Sequence, residues 1–446
     1  MINSPLYTAL IKHKRKRLSS FHTPGHKCSR KFLKKNLLSL DFTELSDTDS
    51  LFEASGAIRD TEKQAEKLFS TKRTLVSAGG CTLCIQTMLK LCSKGKKKIV
   101  ISRLIHKSAI NTLALLNLEP IWVYPRKDAG ESYPGRIYAE DVENALSLNK
   151  DVCAVYITSP DYYGVISNIK EISLKCKKYG VPLLVDGAHG SHLPFLNENL
   201  DPIKQGASMV ASSMHKTMPV LTGGAYLHIC NEKYAYEAKS AMSLFGSTSP
   251  SYPIMASLDL ANMWCDKYGR KSFLKLQQEI EKIKIIAKSK GIGFPLGETD
   301  PIRLCLDVSK IGLIGTEVGE FFRHHHIEPE YCDQNSVVLI ATPFNNKKDF
   351  RRLKKAILLL NAKPASKNMC NKPYDFPKPV AKIPPRDAVF STSKLINVKN
   401  AAGRIAAESV CPCPPGVPIV MPGEEITNRI ISDLTSYGIF VIYVVE

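Results

Sequence analysis

Lys216 lies in Ala211-Ser212-Ser213-Met214-His215-Lys216-Thr217-Met218-Pro219, among hydroxyls and one histidine, with Gly223 and Gly224 close behind. A short apolar stretch precedes this segment, and Ala225 to Ile229, which reads as a strand, follows it. A lysine at a strand-to-loop junction can be desolvated, and desolvation favours the neutral amine. A neutral amine can form a Schiff base with an aldehyde. Asp186 closes the apolar run Val181-Pro182-Leu183-Leu184-Val185, which puts a carboxylate at a predicted strand end. A carboxylate there can keep a ring nitrogen protonated. Gly79-Gly80-Cys81-Thr82 precedes a helix predicted from Leu83. Backbone N–H groups and the helix dipole at such a turn favour an anion. His106, in Arg103-Leu104-Ile105-His106-Lys107-Ser108, offers a flat ring. Each has a plainer reading: a solvated lysine, a helix-capping aspartate, a core histidine, a surface turn. Together they match the needs of pyridoxal phosphate: an amine for its aldehyde, an acid for its ring nitrogen, a ring partner and a phosphate cradle.

The elements needed to position these residues are also legible. Strands are predicted at Arg73 to Ser77, Lys98 to Ser102, Glu119 to Tyr124, Asp151 to Thr158, Pro182 to Asp186 and Met209 to Ser212. Helices are predicted from Leu83 to Leu91, Ser108 to Leu116, Ala139 to Leu146 and Ile169 to Tyr179. This alternation implies βαβ units and a mainly parallel sheet with helices on both faces. Sites in such sheets lie beyond the carboxyl ends of the strands. The glycine turn, Asp186 and Lys216 all fall there.

Before this core, Leu6 to Lys12 reads as a short helix and Phe21-His22-Thr23-Pro24-Gly25-His26-Lys27 as a turn. A helix follows from about Asp60 to Phe69, with Asp60 or Thr61 as its cap. After the core, Tyr252 to Asp266 and Lys271 to Lys290 read as helical. Residues 302–342 read as two short strands around a helix from Thr316 to Arg323. The Pro- and Lys-rich stretch 362–387 is a linker. A last unit ends in a strand from Gly438 to Val445. The expected divisions are a segment 1–40, a large cofactor-binding domain 41–250, a small α/β domain 251–365 and a C-terminal domain 366–446.

Composition narrows the class. At 446 residues with 44% hydrophobic side chains, the chain can bury a large core. No apolar run approaches the roughly 20 residues of a membrane helix. The basic start lacks an apolar signal region. Thirteen scattered cysteines suit reduced thiols, so a cytoplasmic setting is expected. The charge of +19 comes from thinly spread Lys and Arg without aromatic interleaving. It reads as a solvated lysine-rich surface, with neither nucleic acid nor membrane as partner. Cys81-x-x-Cys84, Cys411-x-Cys413 and His324-His325-His326 lack the partners of a metal site, and no metal is expected.

The chain resembles the ornithine/lysine/arginine decarboxylases of pyridoxal-phosphate fold type I, the aspartate aminotransferase fold, and most closely their short Gram-positive type. The segments that carry the likeness are Thr23-Pro24-Gly25-His26-Lys27, Asp41-Phe42-Thr43-Glu44-Leu45, His106-Lys107-Ser108, Thr158-Ser159-Pro160-Asp161-Tyr162-Tyr163-Gly164, Asp186-Gly187-Ala188-His189-Gly190, Ser213-Met214-His215-Lys216-Thr217, Ser247-Thr248-Ser249-Pro250-Ser251-Tyr252, Pro385-Arg386-Asp387-Ala388 and Pro414-Pro415-Gly416-Val417-Pro418. They run in family order across nearly the entire chain.

The resemblance implies roles for individual residues. Lys216 would hold the cofactor as a Schiff base, and Asp186 would pair with the pyridinium nitrogen. His106 would stack on one ring face, with Ala188 on the other. Ser213 and His215, with Gly79, Gly80, Cys81 and Thr82, would bind the phosphate. His189 would touch the phenolic oxygen or the substrate. Thr248 or Ser249 would reach the phosphate of a partner subunit, since the family builds its sites at a dimer interface. The chain departs from the family at the phosphate turn, where hydroxyls and an Asn are usual. It departs again at Gly187, where an acid is common, at Gly223, where a Gln is common, and at Cys413, where a Tyr often stands.

The implied reaction is decarboxylation of lysine, arginine or ornithine to its amine. Lys216 or His215 would return the proton to Cα, and an anionic group in a partner-contributed loop, Glu424 or Asp161, would read the cationic side chain. Two other readings stay open. An aminotransferase would need an arginine for a second carboxylate, for which Arg303 and Arg386 are candidates. A non-catalytic relative would bind the cofactor or a polyamine for regulation or assembly.

Overall fold

The computed structural model describes residues 11, 13–27, 37–127, 133–196, 199–363, 377–411 and 418–446. The expected helix at Leu6 to Lys12, apart from Ile11, residues 364–376 of the linker, and Cys413 with Pro414 to Val417 lie outside them, and the linker's expected end instead opens the helix Pro385–Phe390. The first described strand is the short β1 (Ser19–Phe21). A seven-stranded sheet follows, built from β2 (Arg73–Ser77), β3 (Lys98–Ser102), β4 (Glu119–Val123), β5 (Val152–Thr158), β6 (Leu183–Asp186), β7 (Met209–Ser212) and β8 (Ala225–Ile229). Its spatial order is β2-β8-β7-β6-β5-β3-β4. β8 alone runs antiparallel to its neighbours, so the other six point the same way.

Burial explains the strands. Six of the seven residues of β5 and all four of β6 and of β7 are buried. Near-continuous apolar runs of this kind belong to strands covered on both faces. One face packs on helices Gly80–Cys92 and Lys107–Leu116, the other on Ala139–Leu148 and Ile169–Lys178. The carboxyl ends of β2, β3, β5, β6 and β7 therefore share one edge, as sequence reasoning expects.

Two helix starts differ from expectation. The first helix begins at Ala57 rather than Asp60, because its cap is not local. The Asp49 carboxylate accepts the N–H groups of Gly56 and Ile58, each at 2.9 Å. The second begins at Gly80, within the glycine turn, where the Gly80 N–H is held by the Gly223 carbonyl at 2.8 Å. Gly223 has φ of +97°, a conformation that favours glycine.

Helices Tyr252–Trp264 and Arg270–Ser289, joined by one wider turn, pack across the sheet in the largest core. Beyond them, β9 (Arg303–Asp307), β10 (Ile327–Pro329), β11 (Tyr331–Cys332) and β12 (Ser336–Ile340) surround helix Gly315–His324. β9, β12 and β11 form an antiparallel sheet, while β10 pairs with β1. The loop after β1 docks on the lysine segment: the Gly25 N–H donates to the His215 carbonyl at 2.7 Å. A Cβ on Gly25 would come within 2.5 Å of the Met218 carbonyl oxygen, so only glycine allows this approach. The last strands, β13 (Ser393–Asn397) and β14 (Val441–Val445), pair antiparallel over their own core of Val398, Ile426, Ile430 and Ile442.

Candidate active site

A cavity of about 250 Å³ opens at the shared carboxyl edge of the sheet. Gly80, Cys81, Thr82, His106, Asp161, Asp186, Ala188, His189, Ser213, His215 and Lys216 line it, together with Tyr162, Tyr163 and apolar side chains.

Lys216 sits in a single helical turn, Met214–Thr217, immediately after β7. Its Nζ is 2.8 Å from His189 Nε2. Burial holds its pKa below the usual lysine range, against the pull of Asp186. His189 stands on the turn after β6, and its Nδ1 is 3.2 Å from Nη2 of Arg303, the first residue of β9. Burial keeps the His189 pKa well below its ordinary value, and the Lys216 and Arg303 charges add to the effect. The imidazole is therefore neutral near pH 7.

Asp186 ends β6 and is buried. Its Oδ2 accepts from the Tyr156 hydroxyl and its Oδ1 from the Ala188 N–H, both at 3.1 Å. The parallel register, Thr158 beside Asp186 and Tyr156 beside Leu184, brings the tyrosine to it. At the departure Gly187, a Cβ would press on Val210 Cγ1 at 3.0 Å. A side chain there requires the Val210 side chain to give by a few tenths of an ångström.

His106 caps helix Lys107–Leu116: Nδ1 accepts the Ser108 N–H at 3.2 Å and lies 2.8 Å from its hydroxyl. The backbone N–H can only donate, so the neutral ring carries its proton on Nε2. His106 is thus both a helix cap and a cavity wall. His215 donates from Nδ1 to the Gly224 carbonyl at 3.1 Å. Burial lowers the pKa of both rings. Ser213 is buried, and its hydroxyl hydrogen-bonds the Cys81 thiol. Gly79 is the N-cap of helix Gly80–Cys92 and stands behind the cavity lining. Thr248 and Ser249 are exposed on a loop away from the cavity.

The donor set fits pyridoxal phosphate. A desolvated amine, a buried carboxylate with both oxygens oriented, an imidazole face and a helix N-terminus converge on one cavity.

Comparison with known proteins gives the same direction. The profile described as "Orn/Lys/Arg decarboxylase, major domain" matches residues 4–294, and that of the family's C-terminal domain matches residues 367–437. The chain belongs to this family. Its members are amino-acid decarboxylases that use pyridoxal phosphate, and this chain is such an enzyme. An arginine decarboxylase of Bacillus subtilis is 32% identical over 454 residues, covering 96% of this chain and 92% of that protein. An uncharacterised Bacillus subtilis protein, YaaO, is also 32% identical, covering 97% of this chain and 94% of its own length. The fold is that of the Pseudomonas aeruginosa lysine decarboxylase A, with a TM-score of 0.77 at 16% identity over 99% of this chain and 80% of that one. The Escherichia coli constitutive lysine decarboxylase gives 0.72 at 18% identity, over 100% and 82%.

Several expectations need correction within this family member. Glu424 does not line the cavity: it is buried against Arg103, with bonds of 2.6 and 2.9 Å. Arg386 is also elsewhere, donating to the Ala114 and Leu115 carbonyls. Arg303 lies behind the cavity, held by the Tyr162 carbonyl at 3.1 Å and by His189. Neither arginine is presented to a substrate carboxylate. Sequence reasoning missed Tyr156 and the Arg303 contact to His189. A tyrosine two residues before the end of a predicted strand beside Asp186 was the available signal for the first. The second has no local signal.

Proposed function

We propose that the protein decarboxylates arginine, releasing carbon dioxide and the corresponding amine, at sites shared between two copies of the chain. The observation that carries this reading is the convergence of Lys216, Asp186 and His106 on one cavity with Asp161 in its wall. Arginine is placed first because several relatives bear that name, among them the Bacillus subtilis and Bacillus anthracis proteins. The exposed loop with Thr248 and Ser249 supports the shared site, since it lies free of its own cavity and suits contact with a neighbour. The chain would divide near residues 40, 250 and 365.

Lys216 would hold the cofactor aldehyde, Asp186 its ring nitrogen, and His106 and Ala188 its two faces. Cys81, Thr82, Ser213 and His215 would hold the phosphate. When bound, the cofactor supplies an electron sink that lets the bond between Cα and the carboxylate break. Tyr156 and the Ala188 N–H keep the Asp186 carboxylate oriented. His189 occupies one side of the Lys216 amine and limits its motion. Lys216 Nζ is the atom from which a proton would reach the substrate Cα; His215, whose ring proton is committed from Nδ1 to the Gly224 carbonyl, would deliver one only after taking up a second proton at Nε2. Asp161 would meet the guanidinium, since one of its buried oxygens lacks a hydrogen-bond partner.

A substrate panel tests this. Purified protein supplied with pyridoxal phosphate should release carbon dioxide from arginine faster than from lysine or ornithine, with no keto acid present. Lys216→Ala should lose activity by about 10³-fold or more. Amino-group transfer that requires a keto acid, or a Lys216→Ala variant as active as the parent, would overturn the reading.

A further inference from the structure

We propose that Arg303 is a positioning residue: it fixes the tautomer of His189, and through it keeps the Lys216 amine neutral and ready to take up an aldehyde. The inference rests on Lys216 being the cofactor-holding amine.

Three groups in a row share the protons that decide this. Arg303 Nη2 is 3.2 Å from His189 Nδ1, and His189 Nε2 is 2.8 Å from Lys216 Nζ. A guanidinium has donors only. His189 Nδ1 must therefore accept, which places the proton of the neutral ring on Nε2. That N–H points at Lys216. It can be satisfied only by a lone pair, and an ammonium has none. A charged Lys216 would set donor against donor at 2.8 Å in a buried site. The arrangement thus selects the amine.

The Arg303 end is held in place. Its Nη1 donates to the Tyr162 carbonyl at 3.1 Å. Its Nε lies 3.8 Å from the buried Asp300 carboxylate, which is itself fixed by His192 at 2.9 Å. His189 is further held edge-on to Tyr162, with ring centroids 5.2 Å apart. The guanidinium therefore cannot swing away from Nδ1 without breaking these contacts.

Other charges also face Lys216. Asp186 and Glu330 favour its ammonium, whereas Arg303, His106 and His215 oppose it when charged, and Cys81 is a protonated thiol. Burial and the His189 contact must together outweigh the two carboxylates. The amine lone pair can then attack the aldehyde carbon, and water leaves as the Schiff base forms.

The test is the rate at which full-length protein, freed of cofactor, captures added pyridoxal phosphate across pH. Borohydride-fixed mass on Lys216 provides the readout. The parent rate should change by less than about threefold between about pH 6.5 and 9.5. Arg303→Met should slow capture at neutral pH by about tenfold or more and regain the parent rate at the alkaline end. Arg303→Lys keeps a donor-only cation and should keep the flat profile. The ¹⁵N shift of His189 Nδ1, assigned by comparison with His189→Gln, should be that of an unprotonated nitrogen in the parent protein. A flat profile in Arg303→Met, an equal loss at every pH, or a protonated Nδ1 in the parent would each overturn the relay. Absence of any trapped mass on Lys216 in the parent would instead overturn its assignment as the cofactor lysine.

Discussion

The two sides of the cavity are built differently. The side formed by Gly80 to Thr82 and by Leu104 to Ser108 follows mainly local rules, with the Gly80 N–H bond to the Gly223 carbonyl as its long-range tie. A strand ends, a turn leads into a helix, and His106 bonds Ser108 two residues on. The side formed by Asp186, His189 and Lys216 depends on contacts distant in sequence. Tyr156 and Asp186 are 30 residues apart, His189 and Lys216 are 27 apart, and His189 and Arg303 are 114 apart. The first side offers a shape and a helix dipole, which tolerate changes of side chain. The second sets protonation states, which depend on particular donors and acceptors. Substitutions should therefore be costly on the second side and mild on the first, unless they reach the anchor behind it.

That anchor is the largest expected effect. Arg103 lies just past β3, fully buried, with its guanidinium over Trp122 at 4.9 Å and two bonds to Glu424, which is 321 residues away. Glu424 also accepts the Met421 N–H at 2.8 Å, so the pair ties the last unit to the local side of the cavity. Removing one partner of a buried ion pair leaves an uncompensated charge. Glu424→Ala should destabilise the protein by about 3–5 kcal/mol, read from the urea midpoint. Glu424→Gln, which still accepts from Arg103, should cost less. If Glu424→Ala loses less than about 1 kcal/mol, the local side stands without its anchor.

The same contrast explains what could be read from sequence. The inner strands of the main sheet follow from short apolar runs between turn residues, because a strand covered on both faces leaves that mark, whereas the half-buried edge strand Glu119–Val123 follows from its place in the alternation. Asp186, His106 and Lys216 were legible because each is a functional side chain at a predicted strand or helix end. Arg303 was legible only as an arginine, since its partner is set by how β9 packs behind the turn after β6. Glu424 was misplaced for the same reason. Its acid looks available in sequence, and only the fold brings Arg103 to it. The start of the first helix moved because Asp49 caps it from eight residues before Ala57.

On the long-range side, Asp161 gives a pH test. It is buried, and desolvation pushes its carboxyl up to about 7 from the ordinary 3.8, although its Oδ1 accepts the Val165 N–H at 2.7 Å. The folded protein thus binds this proton more tightly than the unfolded chain. Stability from this group is fully present below about pH 4 and is lost as pH rises through about 7. Asp201, pushed up to about 6 by burial, adds in the same direction. Asp161→Asn should match the parent's stability near pH 4 and exceed it by up to roughly 4 kcal/mol above pH 7, measured by thermal or urea unfolding without substrate. If Asp161 meets the guanidinium, the same variant should raise KM for arginine by about 10- to 100-fold. A stability gain without a change in KM would leave Asp161 a strained wall residue and move the substrate contact elsewhere.

The smallest effect should come from Cys81, in the phosphate turn. Burial pushes its thiol well above the ordinary range, so it is protonated at neutral pH and is not a nucleophile. Its side-chain contact is to the Ser213 hydroxyl. Serine at this position would keep that hydrogen bond with a shorter side chain. If backbone N–H groups and the helix dipole hold the anion, Cys81→Ser should change cofactor affinity by less than about threefold, within the roughly 0.5 kcal/mol of a tolerated substitution. Fluorescence titration with pyridoxal phosphate measures it. A gain near tenfold would mean that a side-chain hydroxyl adds its own bond to the phosphate. The turn would then have lost affinity in departing from the family's hydroxyls, and the local side of the cavity would depend on side-chain chemistry as the opposite side does.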